Sequence, residues 1–227
     1  MDFYGCKAAI TGKSMARGII KKAVDTVTFP GRALLLINDD GVGLSSLRTE
    51  RFDYVARNVQ GYCLDVGCGE HNLFVTRWLS GNGKGIDVFP YDGLTAENIV
   101  EDMSRFPFPD GTFKTATFIA NINHIPEPMR DVELAEAYRC LAPGGNVVVT
   151  MGNPVAEVLV HKYIFLQSKV LGAKFEDTER GMHEDEEFYL KDSEIKARLA
   201  KAGFTGIKKK RFMTQWGLNH LFLGWKR

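Results

Sequence analysis

From Tyr62 onward, short apolar runs alternate with longer amphipathic segments, and no other property restricts the fold as strongly. The runs at Tyr62 to Val66, Lys84 to Val88, Asn98 to Val100, Thr115 to Ile119, Asn146 to Thr150, Gly206 to Arg211 and Leu218 to Trp225 read as strands. Helical periodicity fits near 72–80, 128–141, 155–171 and 192–202. Strands interleaved with helices need right-handed crossovers, so the expected fold is α/β with a mostly parallel sheet and helices on both faces. Residues 1–60 read differently, as a helical cap on a domain spanning 61–227. There, Ser14 is placed to cap a helix to about Val27, which Phe29-Pro30-Gly31 should break, and Asn38-Asp39-Asp40-Gly41 reads as a turn rather than a calcium loop. A second helix is expected from Ser45 or Ser46, carrying Leu47, Phe52, Val55 and Val59 on one side and ending before Gly61.

The chain has 227 residues, 44% of them hydrophobic, enough to bury a substantial core as one domain. Its 29 Lys plus Arg nearly balance 28 Asp plus Glu, which excludes a protein drawn to nucleic acid by bulk charge. Cys6, Cys63, Cys68 and Cys140 form no Cys-x-x-Cys pair, so reduced thiols are expected rather than disulfides or zinc. Met1 to Cys6 lacks the basic-then-apolar run of a signal peptide, and no apolar stretch approaches the ~20 residues of a bilayer span, so a cytoplasmic location is expected.

The most informative stretch is Cys63-Leu64-Asp65-Val66-Gly67-Cys68-Gly69-Glu70-His71-Asn72-Leu73: an apolar strand, an acid, Gly-x-Gly, then a helix. A side chain at Gly67 or Gly69 would hold the backbone away from a ligand, and a following helix offers free N–H groups. A dinucleotide site also opens with Gly-x-Gly, but here Asn72 replaces the third glycine. Asp65 would repel a pyrophosphate and welcome an ammonium. Asp87 in Gly85-Ile86-Asp87-Val88 closes the next strand about 20 residues after Gly67, the separation at which a carboxylate meets ribose hydroxyls. Asp102-Met103 follows the third strand, where a carboxylate can receive an exocyclic amine and a thioether can cover a ring.

These motifs, together with Phe106-Pro107-Phe108-Pro109-Asp110-Gly111-Thr112-Phe113, Asn123-His124-Ile125-Pro126-Glu127-Pro128 and Leu141-Ala142-Pro143-Gly144-Gly145, resemble the class I S-adenosylmethionine-dependent methyltransferases, in particular the type 11 group. Ser193 to Phe204 resembles that family's last helix and its Ala-Gly-Phe exit. The resemblance implies a Rossmann-like seven-stranded sheet with a reversed C-terminal hairpin and S-adenosylmethionine lying across the carboxyl ends of the first four strands. Transfer of its methyl group would leave S-adenosylhomocysteine. By position, Asp65, Gly67, Cys68 and Gly69 would frame the methionine end, Asp87 and Val88 the ribose, Asp102 and Met103 the adenine, and Phe118 the wall after the fourth strand. Phe113-Lys114 departs from the Phe-Asp pair usual in that family.

Methyl transfer from a sulfonium needs in-line approach in a dry pocket more than a fixed catalytic triad. His124 and His183 are the candidate bases, each with a structural alternative: a loop residue bonded to backbone, and part of a solvated acidic loop. Neither histidine has metal-like spacing, so no metal is expected. The Asn-Pro-Pro-aromatic motif of nucleic-acid amino methylases is missing, and Lys208-Lys209-Lys210-Arg211 would face both sides of a strand. A small-molecule acceptor is therefore expected, with Val155 to Leu171 lining an apolar pocket, forming a homodimer contact or packing as a crossover helix. The alternative is a non-catalytic S-adenosylmethionine-binding regulatory protein of the same fold.

Overall fold

The computed structural model describes residues 18–34, 40, 44–152 and 190–227. The expected helix at 155–171, His183 and Cys6 lie outside those residues. Strand β1 (Cys63–Val66) is buried along its whole length, as a central parallel strand must be. It pairs in parallel with β2 (Gly83–Ile86) on one side and β3 (Phe113–Ile119) on the other. Strand β4 (Leu141–Gly152) continues the parallel series, whereas β6 (Asn219–Trp225) runs antiparallel to β4 and is followed outward by β5 (Thr205–Arg211). The order is β2-β1-β3-β4-β6-β5, with the reversed C-terminal hairpin in place.

Among the described residues six strands form where seven were expected. Asn98 to Val100 contributes a single parallel bridge, Asp87 with Ile99, closed by Asp87 N–H to the Asn98 carbonyl (2.8 Å) and Val100 N–H to the Asp87 carbonyl (2.9 Å). The ladder stops there because the Asn98 side chain supplies the next bond itself: its amide donates to the Gly85 carbonyl at 2.8 Å. Its Oδ1 accepts from Thr95 N–H at 3.0 Å.

Helices α3 (Glu127–Cys140) and α4 (Asp192–Lys201) cover one face and α2 (Leu47–Ala56) the other. The period-2 alternation assigns the strand residues to the two cores: Val147, Val149 and Phe222 join one cluster, Val148, Leu221 and Leu223 the other. Helix α2 begins where Ser46 predicts, its hydroxyl accepting from Thr49 N–H at 3.0 Å. Phe52 packs on Phe74 and Trp78 at centroid distances of 5.4 and 4.9 Å. On the edge strand β5, Lys208 lies over Trp225 and Lys210 bonds Asn58, while Lys209 reaches Asp192 on the opposite face. The run faces both sides, as its period required.

Helix α1 (Ile19–Leu34) corrects the expectation of a break at Phe29-Pro30-Gly31, since Pro30 sits inside it. A proline leaves the carbonyl four residues earlier without its helical donor. That carbonyl, on Thr26, instead accepts from the Trp216 indole at 2.9 Å, and Trp216 also packs on Phe29. Arg32, fully buried, bonds the Ser45 carbonyl at 2.6 Å and Glu50 at 3.0 Å and so ties α1 to α2. Arg32→Ala removes the guanidinium from the buried Glu50 carboxylate and leaves the Gln215 amide, at 2.9 Å, on the same oxygen. A loss of about 3–5 kcal/mol is expected in chemical denaturation; a loss under about 1 kcal/mol would show that the pair holds nothing.

His220 on β6 is buried, with Nε2 3.2 Å from Asp192 Oδ1 at the start of α4. Burial first, and the Lys209 charge second, push its pKa down from 6.5 to about 4. The unfolded chain therefore takes up this proton before the folded one does. The stability that neutral His220 contributes is complete above about pH 6.5 and is lost as the pH falls toward about 4. Melting temperature should drop across that interval, and His220→Gln should flatten the slope; an unchanged slope would place the titration elsewhere.

Candidate active site

The carboxyl ends of β1 and β2 meet at the glycine turn. Gly67 N–H and Cys68 N–H both donate to the Ile86 carbonyl, at 2.8 and 3.1 Å. The Asp87 carboxylate then joins the two chain segments: one oxygen accepts from Gly69 N–H at 2.9 Å and the other from Phe89 N–H at 3.1 Å. Gly69 has φ 63° and ψ −168°, a region open essentially to glycine alone. A Cβ built on it meets nothing within 4 Å, so the backbone there faces open space. Gly67 (φ 72°) is glycine for another reason as well, because a Cβ there would fall inside the Asn121 side chain.

The segment after the turn differs from the expected helix at 72–80. His71 and Asn72 are left-handed (φ 57° and 48°), and only a 3-10 turn at Glu70–Asn72 and one π turn at Phe74–Trp78 follow. Asn72, standing where a third glycine was considered, folds against Gly85, whose position leaves no room for a side chain. Two of the turn's N–H groups are spent on protein acceptors: His71 on the Asp92 carbonyl at 2.8 Å and Asn72 on the Gly69 carbonyl at 3.2 Å. The anion-binding helix terminus anticipated from the motif is absent among the described residues.

Charge, not N–H donors, dominates this end of the sheet. Asp65 is buried, accepting from the Thr117 hydroxyl at 2.6 Å, and burial with the nearby Asp87 charge lifts its pKa to about 7. Glu133 on α3 is also buried, with Oε2 lacking a hydrogen-bond partner, and burial followed by the Asp87 charge lifts it to about 8. Burial above all, then the Asp65 and Asp87 charges, keep the Cys68 thiol protonated and unreactive. Two buried carboxyls raised by the charge of a third favour a cationic ligand beside them.

The other anticipated residues divide. Val88 and the adjoining Phe89 are exposed just past β2. Asp102 is exposed and caps its own turn, accepting from Ser104 N–H at 2.8 Å, which lowers its pKa. Met103 and Phe118 are buried in the core cluster packed by α3. His124 stands exposed on the loop after β3, its N–H on the Asn121 carbonyl (2.8 Å) and its ring 3.3 Å from the Asn123 amide. Sequence reasoning missed Asn121, which fills the space beside Gly67 and donates to the Val66 carbonyl at 3.2 Å. It also missed Glu133, although Arg130, Glu133, Leu134 and Ala137 form a buried stripe at helical spacing.

A family model described as a methyltransferase domain matches residues 43–209. The chain belongs to that methyltransferase domain family. The ubiquinone/menaquinone biosynthesis C-methyltransferase UbiE of Burkholderia multivorans is 30% identical over 122 residues, 51% of this chain and 49% of the relative. The chain thus spans about half the length of the curated relatives it matches. Among solved structures, a SAM-dependent methyltransferase of Methanosarcina mazei superposes with TM-score 0.52 at 20% identity, over 76% of this chain and 96% of that one. The 1,6-didemethyltoxoflavin-N1-methyltransferase of Burkholderia thailandensis, solved with 1,6-didemethyltoxoflavin and S-adenosylhomocysteine, superposes with TM-score 0.51 at 14% identity, covering 90% and 80%. These likenesses establish the methyltransferase fold, and the matched span 43–209 takes in α2 as well as β1 to β4.

The Gly67–Asn121 contact makes a quantitative expectation. Gly67→Ala should cost roughly 1–3 kcal/mol in denaturant melts, from left-handed strain plus the collision with Asn121. In an Asn121→Ala background the cost should shrink to the backbone part; equal costs in both backgrounds would mean that the two residues do not compete for space.

Proposed function

We propose that this chain is an S-adenosylmethionine-dependent methyltransferase acting on a small-molecule acceptor. The observation that carries the reading is the anionic crevice: Asp65 and Asp87 flank a glycine turn whose Gly69 faces open space, and Glu133 adds a third buried carboxyl. S-adenosylmethionine suits it, being a sulfonium with an ammonium, and when bound it supplies a methyl group already activated for transfer. Asp65 would compensate the cationic methionine end, Gly67, Cys68 and Gly69 would let the ligand approach the backbone, and Asp87 and Val88 would border the ribose. Asp102 and Met103 belong to the adenine side in this reading, with the Asp102 carboxylate as the exposed acceptor. His124, exposed at the carboxyl end of β3, is the candidate for taking a proton from the acceptor. The named activities of the relatives, a C-methyltransferase of quinone biosynthesis and an N-methyltransferase of didemethyltoxoflavin, support an acceptor of small-molecule size. Residues 1–60 serve as its helical cover, an assignment supported by the contact of α1 with the turn between β5 and β6.

Calorimetric titration should show binding of S-adenosylmethionine and S-adenosylhomocysteine and none of NAD; failure of both adenosyl compounds to bind would overturn the reading. Release of S-adenosylhomocysteine during incubation with a small-molecule extract would distinguish turnover from binding alone. Because Asp65 must lose its proton to meet a cation, affinity should fall as the pH drops below about 7. In the ligand-free protein the sign is reversed: a carboxyl raised from 3.8 to about 7 loses its stabilising protonated form as the pH rises through that value. Asp65→Asn should therefore weaken S-adenosylmethionine binding and raise the melting temperature more at pH 8 than at pH 5. A variant that binds normally would remove Asp65 from the site.

A further inference from the structure

Helix α1 packs inside out. At 3.6 residues per turn, Ile19, Ala23, Val27, Ile20 and Val24 share one arc of about 140°. An apolar stripe on a surface helix ordinarily faces the core. Here Ile19 is 86% exposed, Ile20 82% and Val27 78%, while the opposite side buries Asp25 and Arg32, with Arg32 bonded to Glu50. The helix is anchored by its polar side and by Phe29, and its apolar side is left to the outside.

The two charged residues of α1 that border that arc are both basic. Lys21 and Lys22 fall about 60° beyond its two margins, one on each side, where long basic side chains can lay their stems along an apolar layer and lift their ammonium groups. Asp25, the one acid in the helix, lies on the buried side. Trp216, 57% exposed, and Met213, also exposed, project from the turn after β5 that packs against α1. The Trp216 indole N–H is held by the Thr26 carbonyl, which fixes the ring beside the helix as an amphipathic anchor.

We infer that the exposed face of α1, with Trp216 and Met213, is a docking surface for an anionic lipid membrane, on which the helix lies flat without crossing. A broad apolar arc flanked by lysines, free of acids and bordered by a tryptophan, is the chemistry of an interfacial helix. No helix among the described residues is long and apolar enough to span a bilayer, so attachment would be peripheral and reversible. The turn carrying Trp216 joins β5 to β6 beside the carboxyl end of β4, since Gly152 pairs with Asn219. The docked face therefore stands at the same end of the sheet as the candidate site, although the inference does not depend on methyl transfer.

The test is co-sedimentation of the full chain with vesicles of phosphatidylcholine mixed with phosphatidylglycerol, and with vesicles of phosphatidylcholine alone. The wild type should sediment with the mixed vesicles and more weakly with the neutral ones. Ile20→Asp with Val27→Asp, both at exposed positions, should keep the wild-type melting temperature and abolish sedimentation. Lys21→Gln and Lys22→Gln should each weaken it roughly fivefold. Wild-type protein that ignores both vesicle types, or sedimentation that survives Ile20→Asp with Val27→Asp, would overturn the inference. So would light scattering that shows concentration-dependent self-association abolished by the same pair without any vesicle binding, which would assign the face to a second copy.

Discussion

The Asp87 carboxylate is the point on which the site's geometry depends. One side chain at the end of β2 accepts from the N–H of Gly69 and of Phe89, so that the glycine turn leaving β1 and the loop leaving β2 are fixed to one acceptor. Hydrogen bonds to a carboxylate are the stronger kind, and the buried Asp87 side chain accepts two of them. Its charge is in turn felt by Asp65 and Glu133. Folding has gathered carboxyl groups there whose ionisation is held back by burial and by their nearness to Asp87. Ionising such carboxyls without a positive partner costs stability, the usual relation between strained electrostatics and function.

The parts of the site that could be read in advance were those whose chemistry is local. The strand, its terminal acid and Gly-x-Gly lie within a few residues, and Asp87 arrives at a spacing set by one crossover. Ser46 caps α2 through a bond to Thr49, three residues away. What escaped depended on partners distant in the chain. Pro30 should have ended α1, and does not because an indole 190 residues from Thr26 supplies the missing donor. Asn121 carries no mark beyond being polar after a strand, and its place becomes evident only when the empty space at Gly67, on a different strand, is known. Phe118 was read as a wall residue, yet its register opposite Val66 and Val149 puts it in the middle of the sheet, facing α3.

The short turns after Gly69 change the character of the motif. A long helix there would direct unpaired N–H groups and a partial positive charge at the ligand. In this chain the N–H groups of Gly69, His71 and Asn72 are bonded to Asp87, Asp92 and Gly69, and carboxyl groups stand beside the turn. The same glycine pattern can therefore accompany opposite electrostatics, according to whether the following residues wind into a helix or are diverted, as here, by left-handed His71 and Asn72.

The two margins of the sheet also have a consequence for the protein in a crowded solution. On the β2 side, an asparagine amide plugs the next carbonyl and the chain turns away after one bridge. On the β5 side, Lys208, Lys210 and Arg211 crowd the outermost strand with positive charge. A stray strand from an unfolded neighbour finds one border already stoppered and the other electrostatically forbidding, so the sheet is a poor seed for fibrous growth.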